Sequence, residues 1–174
     1  MSTIRYALES FSPFNTVCPG CGAKDNFSYL CSYSRALVIY DAGVQSHRLT
    51  IPRYLCGSCG CTHAVLPAVL IPYGSYSLFF IMAVLKEYFS RFILNVTVTG
   101  ICSKYQISVS TLYEWKALYL KYKDLWLGAL GSLTVPAQEF SETYPFCPDK
   151  LSKFFRRFGF SFMQRRNTSV SSVP

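Results

Sequence analysis

Two short cysteine motifs contain the residues most able to do chemistry in this 174-residue sequence. Cys18 and Cys21 are separated by two residues, and Cys56 and Cys59 repeat that spacing further along the chain. Two thiolates at this spacing can point at one ion from a tight turn, and two such turns complete a tetrahedron. The four cysteines therefore predict one bound zinc ion, and zinc is favoured over iron because nothing else in the chain suggests redox work.

Several alternatives to this ligand set stay open at the level of sequence. Cys61 or His63 could replace a cysteine as the fourth ligand, and a disulfide or buried free thiols could replace the metal site altogether. No secretory signal peptide is recognisable, which favours reduced cysteines in the cytoplasm. No acidic residue adjoins either motif, so the predicted zinc is structural rather than catalytic. The other three cysteines are expected to pack rather than bind metal; they are Cys31, Cys102 and Cys147.

The segment between the two motifs predicts a small antiparallel sheet. Its stretches FSYLCSY, RALVIYDA and HRLTIPRYLC are rich in β-branched and aromatic residues, and DAGVQS has the composition of a turn. Cysteine turns at the end of such a sheet are typical of a zinc ribbon. The 34 residues between Cys21 and Cys56 exceed the usual gap of about 15 to 20 residues, which predicts an extra or elongated hairpin.

The periodicity changes to that of helices after the connector LPAVLIPYGSYS. Apolar residues recur every three or four positions and predict an amphipathic helix from about Ser77 to Ile93, with Phe92 on its apolar face and a break at Asn95. Ser75 or Ser77 would cap its N-terminus.

The stretch ICSKYQISVSTLYEW has the form of a helix-turn-helix. A first helix would end at Tyr105, and Ser108 would cap a second helix whose Leu112 and Trp115 face inward. We expect Cys102 at the helix crossing, with Ile101 and Ile107 in the core. The apolar pattern continues through Leu118, Tyr119, Tyr122, Leu125 and Trp126. The outward positions would be Val109, Ser110, Tyr113, Glu114 and Lys116.

Together, the cysteine ribbon, the connector LPAVLIPYGSYS and ISVSTLYEW resemble the N-terminal DNA-binding region of bacterial insertion-sequence transposases and related small transposon-encoded proteins. The resemblance covers roughly residues 15 to 130. It implies that the ribbon and the helix-turn-helix read a transposon end or a similar double-stranded DNA site. The outward positions depart from that pattern, because Val109 and Glu114 stand where such recognition helices often carry arginine. The 43 residues after Gly131 are too few for the catalytic core of a transposase.

Charge and the C-terminal segment agree with an anionic partner. The net charge is +8, which favours nucleic acid or an acidic membrane surface. Residues 148–158 predict a short helix with a basic face that includes Arg156 and Arg157, before a disordered end. A docked terminal helix and a membrane-surface helix are alternatives to DNA contact. The apolar residues 75–85 are too few to span a bilayer, which needs about 20 residues, so no membrane partner is expected.

These inferences predict an α+β chain with three parts: a zinc-ribbon module (1–75), a helix-turn-helix module (76–131) and a basic C-terminal helix with a disordered tail (132–174). The predicted function is non-enzymatic, zinc-stabilised DNA binding in the cytoplasm, as a transposase accessory or end-binding protein. The predicted DNA contacts are Ser108, Ser110, Tyr113, Lys116, Arg156 and Arg157. A transposase or other transposon-encoded protein, or a second copy of the chain, is a further expected partner. A protein-interaction adaptor and a truncated transposase fragment are the alternatives.

Overall fold

The computed structural model describes residues 17–66, 70–130 and 163–164. These residues fold as α+β, with a three-stranded antiparallel sheet followed by three helices, which confirms the predicted class. The predicted C-terminal helix lies outside the described residues. The elements are β1 (Phe27–Tyr40), β2 (Val44–Cys56), β3 (Thr62–Ala64), α1 (Leu78–Phe89), α2 (Val98–Tyr105) and α3 (Val109–Leu130).

A long hairpin forms most of the sheet and confirms the predicted elongation. β1 and β2 have 14 and 13 residues and pair from Phe27 opposite Cys56 to Tyr40 opposite Val44. The turn between them takes only residues 41–43, where Ala42 and Gly43 both have positive φ, and the rest of the predicted turn, residues 44–46, is paired in β2. Among the described residues, β3 pairs with the other edge of β2, next to the cysteine motifs. The two ends of the hairpin therefore have different neighbours.

The connector joins the hairpin to the helices by continuing the sheet. The amide of Val38 donates to the carbonyl of Ser75 (2.7 Å), and the amide of Ser77 donates to the carbonyl of Val38 (3.0 Å). On one face of the sheet Leu37, Ile51 and Leu70 form a small buried cluster. The opposite face of the hairpin tip packs on the helical core through Val38 and other apolar residues.

Helix α1 begins as predicted and ends earlier. The Ser77 hydroxyl accepts from the amide of Phe80 (3.1 Å), which confirms the cap. The helix ends at Phe89 rather than Ile93, and Phe92 is 82% exposed instead of lying on the apolar face. The reason is the short turn to α2. Asn95 takes a left-handed conformation and the amide of Val96 donates to the carbonyl of Arg91, so residues 91–95 reverse the chain with their side chains outward.

Helices α2 and α3 form the predicted helix-turn-helix. Tyr105 ends α2, Gln106 adopts the left-handed conformation that terminates a helix, and Ile107 is buried before α3 begins. The inward positions are confirmed, since Leu112 and Trp115 are both buried. Trp115 lies against Tyr76 and Phe80, with ring centroids 4.9 and 6.2 Å away.

The predicted packing of the other cysteines and of the apolar residues of α3 is confirmed in part; it is wrong for Cys31 and Leu125. Cys31 is exposed, because it lies opposite Arg53 towards the cysteine-motif end of the hairpin, whereas the helices cover only the tip; Cys102 is buried in α2. Tyr119 and Tyr122 are buried in α3, but Leu125 is 39% exposed. It lies beyond Tyr119, the residue that packs on Phe89 at the end of α1. The side chain of Trp126 and the whole of Cys147 lie outside the description.

None of the described helices combines the length and the apolar character needed to cross a bilayer.

Candidate functional site

The two cysteine motifs form two turns of the same geometry at one end of the sheet. In the first turn the amide of Gly22 donates to the carbonyl of Cys18 (2.8 Å), and in the second the amide of Gly60 donates to the carbonyl of Cys56 (2.9 Å). Both glycines have left-handed backbone angles, with φ of +75° and +70°. Glycine adopts this conformation without the steric cost that a side chain would add, which explains the CxxCG pattern of both motifs.

These turns bring four sulfur atoms together. The Sγ atoms of Cys18 and Cys59 are 3.8 Å apart, as are those of Cys21 and Cys56, and all four lie within 4.8 Å of one another. A tetrahedral thiolate site with metal–sulfur bonds of about 2.3 Å has edges of about 3.8 Å. Each close pair joins one sulfur from each turn. The cluster can therefore hold a metal ion that links the two turns.

The local environment shifts the pKa values of two of the thiols in opposite directions. The backbone amide of Cys59 lowers the pKa of Cys56 to about 6, helped by the amide of Ser58 and opposed by desolvation. For Cys21 the amide of Ala23 acts in the same direction, but desolvation and the three neighbouring thiols together raise the pKa to about 12. Because the thiolate is the form that binds metal, the lowered pKa of Cys56 favours its ligating form.

Asn26 supports the second turn, a role that no local sequence pattern indicates. Its carbonyl accepts from the amide of Gly57 (2.9 Å), and its side-chain amide donates to the Ser58 hydroxyl (2.8 Å). A Cβ atom on Gly57 would lie 2.5 Å from the Asn26 side-chain oxygen, so the contact requires glycine. Asn26 thus ties the second turn to the start of β1.

The two alternative ligands lie beside the cluster. The Nε2 atom of His63 is 3.4 Å from the Cys18 sulfur, a hydrogen-bonding distance for sulfur. The His63 ring also meets Phe27 edge to face at 5.8 Å. Cys61 accepts a hydrogen bond from the amide of Cys56 through its carbonyl, and its side chain is exposed. Among the described residues, the candidate metal-binding group whose ligand atoms all lie within 4.8 Å of one another consists of the four cysteine sulfurs alone.

A second candidate surface is the exposed face of α3. The Ser108 hydroxyl accepts from the amide of Thr111 (3.0 Å), so Ser108 caps the helix as predicted. It also lies 2.7 Å from the Ser110 hydroxyl. Ser110 is exposed and Tyr113 is 45% exposed, whereas Lys116 is half-buried. Val109 and Glu114 are outward as predicted.

Two cationic side chains on this surface lie over aromatic rings. The Lys116 ammonium is 5.4 Å from the centre of the Tyr88 ring and 5.8 Å from that of Tyr113. On another side of Tyr88, the Arg91 guanidinium lies 4.3 Å from the ring centre. The sequence did not predict a role for Arg91. It reaches this surface because the end of α1 places it over the Tyr88 ring. Tyr113, Lys116 and Arg91 thus form one basic, aromatic surface.

One acidic side chain of α1 bonds two residues at the end of α2. A single Glu87 carboxylate oxygen accepts from the Lys104 ammonium (2.7 Å) and from the Tyr105 hydroxyl (3.0 Å). Burial, together with this hydrogen bond, raises the pKa of Tyr105, so its hydroxyl stays protonated as a donor. The remaining predicted contacts, Arg156 and Arg157, lie outside the described residues.

The fold and the site define a class of protein: a four-cysteine ribbon whose long hairpin is docked on a helix-turn-helix. Residues 18–115 match the family described as Domain of unknown function (DUF6431). That match covers more than half of the chain, from the first cysteine turn to Trp115, and the chain belongs to this family. No curated protein and no solved structure matches the chain.

Proposed function

We propose that this chain is a non-enzymatic, zinc-stabilised protein that binds double-stranded DNA, associated with a transposon as a transposase accessory or end-binding protein. The observation that carries the proposal is the division of α3 into two faces. Leu112 and Trp115 are buried, while Ser110 and Tyr113 in the same two turns are exposed. A recognition helix needs this arrangement, because its first turns enter the major groove while its other face holds it to the domain.

Zinc is the metal proposed for the cluster. Four thiolates in a tetrahedron suit zinc or an iron–sulfur centre, and the two sulfur–sulfur distances of 3.8 Å suit either metal. Zinc is favoured because nothing else in the sequence suggests redox chemistry. Four protein ligands leave no open position for water, which is the arrangement of a structural rather than a catalytic zinc site. The ion would fix the two cysteine turns to each other at the end of the hairpin.

Phosphate contacts would supply most of the affinity. Lys116 lies over the rings of Tyr88 and Tyr113 and Arg91 lies over the ring of Tyr88, and the whole chain has a net charge of +8. Each neutralised phosphate contributes a slope of about −0.9 to log affinity against log salt. Arg156 and Arg157 would add sequence-independent backbone contacts. The base-reading groups would be Ser110 and Tyr113, since Glu114 and Val109 cannot make the bidentate guanine contacts of arginine.

The test is binding of the zinc-loaded protein to a labelled duplex, followed by fluorescence anisotropy at several salt concentrations. We expect affinity to fall steeply with salt, and Tyr113→Ala to weaken binding. Tyr29→Ala is the matched control, because Tyr29 is 61% exposed on the ribbon, away from α3. An absence of salt-dependent duplex binding, or an equal loss in both variants, would contradict the proposal.

A protein-interaction adaptor is the second candidate, and one observation favours it. Phe92, Ile93 and Leu94 form a continuous turn in which the side chains are 82%, 80% and 53% exposed. Exposed apolar patches of this kind mark protein contacts. An adaptor would show no salt-dependent DNA binding, and Ile93→Ser with Leu94→Ser would abolish binding to its partner or to a second copy. A DNA-binding protein should keep its duplex affinity in that variant.

A further inference from the structure

Tyr73, in the turn between Pro72 and Gly74, has a conformation that its own packing does not explain. Its φ is +63°, and it is the one aromatic residue with positive φ in the described part of the chain. A bulky residue in this region is a genuine outlier, and such strain clusters at functional sites. The side chain is 97% exposed, so the fold gains almost no burial from the ring. Glycine or asparagine would suit the backbone better.

The turn that carries Tyr73 is held rigidly. The Arg35 guanidinium donates to the carbonyls of Ile71 and Gly74, on either side of the tyrosine. The amide of Gly74 also donates to the carbonyl of Ile71 (3.1 Å). Arg35 lies in the middle of β1, opposite Leu49. The sheet therefore fixes the position at which the exposed ring is presented.

Tyr73 stands at the edge of a groove on the ribbon. The groove has a volume of about 740 Å³ and runs between the connector turn and the strands near the metal centre. None of its described lining residues is acidic. One lining residue is Arg53, whose guanidinium donates one hydrogen bond to the Thr62 hydroxyl (2.7 Å). An arginine side chain has five N–H donors, so most of them are left for a ligand. Tyr33 adds a second partly exposed ring.

We propose that this groove binds an unpaired nucleotide of single-stranded DNA, with the base stacked on Tyr73 and the phosphate at Arg53. The inference rests on the proposed function, which it extends to strands that are locally open. Stacking on a protein ring requires a free base face, and both faces are covered inside a duplex. Aromatic platforms beside cationic grooves are the usual means of holding single strands. A volume of several hundred Å³ suits a ligand of nucleotide size.

The test measures binding of the zinc-loaded protein to a labelled thymidine oligomer of about 12 nucleotides. Tyr73→Asn removes the ring and suits the left-handed backbone, so we expect at least about fivefold weaker binding with no fall in melting temperature. Tyr73→Phe keeps the ring and should bind as the wild type does. Arg53→Gln should weaken binding and flatten its salt dependence.

A matched control separates this proposal from the duplex-binding function. Tyr113→Asn should weaken duplex binding and leave the affinity for the thymidine oligomer unchanged. Unchanged oligomer affinity in Tyr73→Asn, or a loss that Tyr73→Phe shares, would overturn the groove assignment even if duplex binding persists. A uridine oligomer distinguishes the source of the nucleotide. Tighter uridine binding with the same Tyr73 dependence would keep the site and assign it to RNA, whereas binding of neither oligomer would refute it.

Discussion

The ring of Tyr40 lies 4.8 Å from the ring of Tyr105, so the tip of the hairpin packs directly on the end of the first helix of the helix-turn-helix. The four-cysteine cluster is at the opposite end of the same hairpin, where Phe27 pairs with Cys56. At about 3.3 Å per residue, the 14 residues of β1 place these two ends roughly 40 Å apart. One end of the hairpin therefore carries the cluster that can hold a metal ion, and the other packs on the helical core.

Removal of the metal should consequently unfold one end of the molecule first. With a chelator present, we expect the amides of the two cysteine turns and β3 to lose protection from hydrogen exchange. The amides of α1 and α3 should retain it, because their buried side chains pack around Trp115 rather than around the metal. Hydrogen exchange followed by mass spectrometry gives this readout segment by segment. Simultaneous loss of protection in both regions would show that the metal holds the whole fold.

The ligand set predicts one zinc ion per chain. Cys56→Ser combined with Cys59→Ser should abolish zinc binding, because it removes half of a tetrahedral site. Elemental analysis of the purified protein measures the stoichiometry. Cys31→Ser is the matched control, since Cys31 is an exposed thiol on the same ribbon outside the cluster. Zinc retained by the double variant, or lost from the control, would contradict the assignment.

His63 should tune the metal centre without belonging to it. Its Nε2 atom lies 3.4 Å from the Cys18 sulfur, where an N–H donor would stabilise the thiolate. His63→Ala should keep a stoichiometry of one and lower zinc affinity by about 10- to 100-fold, because it removes a hydrogen-bond donor to a metal-binding sulfur. Competition with a chromogenic chelator measures that affinity. A stoichiometry near zero in this variant would instead make His63 a ligand.

Trp115 should contribute more to stability than any exposed residue of α3. It is 5% exposed and meets the rings of Tyr76 and Phe80. Trp115→Ala should lower the free energy of unfolding by about 3–5 kcal/mol, measured by urea denaturation. Tyr113→Ala, at a half-exposed position two residues away, should change it by less than about 1 kcal/mol. A similar cost for both would mean that the inward and outward faces of α3 are assigned wrongly.

Local patterns carried enough information to predict most of the fold. The repeated CxxCG motifs indicated the paired turns, because two thiolates and a left-handed glycine are short-range requirements. The period of three to four residues likewise identified α1 and α3. It failed at Phe92, where apolar periodicity continues but the chain has to turn back within a few residues to begin α2 at Val98.

The features that the sequence did not reveal depend on contacts between distant segments. Asn26 supports a turn some thirty positions further along the chain, and Arg35 holds the connector that presents Tyr73. Arg91 joins the surface of α3 only because α1 ends beside it. No local pattern distinguishes these residues from ordinary polar side chains. The strained backbone at Tyr73 likewise becomes visible only in three dimensions.

The reading of base sequence by α3 should depend on Ser110 and Tyr113 together. Replacing both with alanine should reduce discrimination between sites by about 1–3 kcal/mol for each good base contact that is lost. Zinc content and thermal stability should stay nearly unchanged, because both side chains point away from the core. Competition between a selected duplex and a scrambled duplex measures the discrimination.

Selection of bound duplexes from a random pool by the zinc-loaded wild-type protein tests directly whether α3 reads DNA sequence. We expect enrichment of a defined motif, and weaker enrichment by the Ser110→Ala, Tyr113→Ala double variant under the same salt conditions. A wild-type protein that enriches no motif, while remaining folded and zinc-bound, would contradict sequence reading by α3.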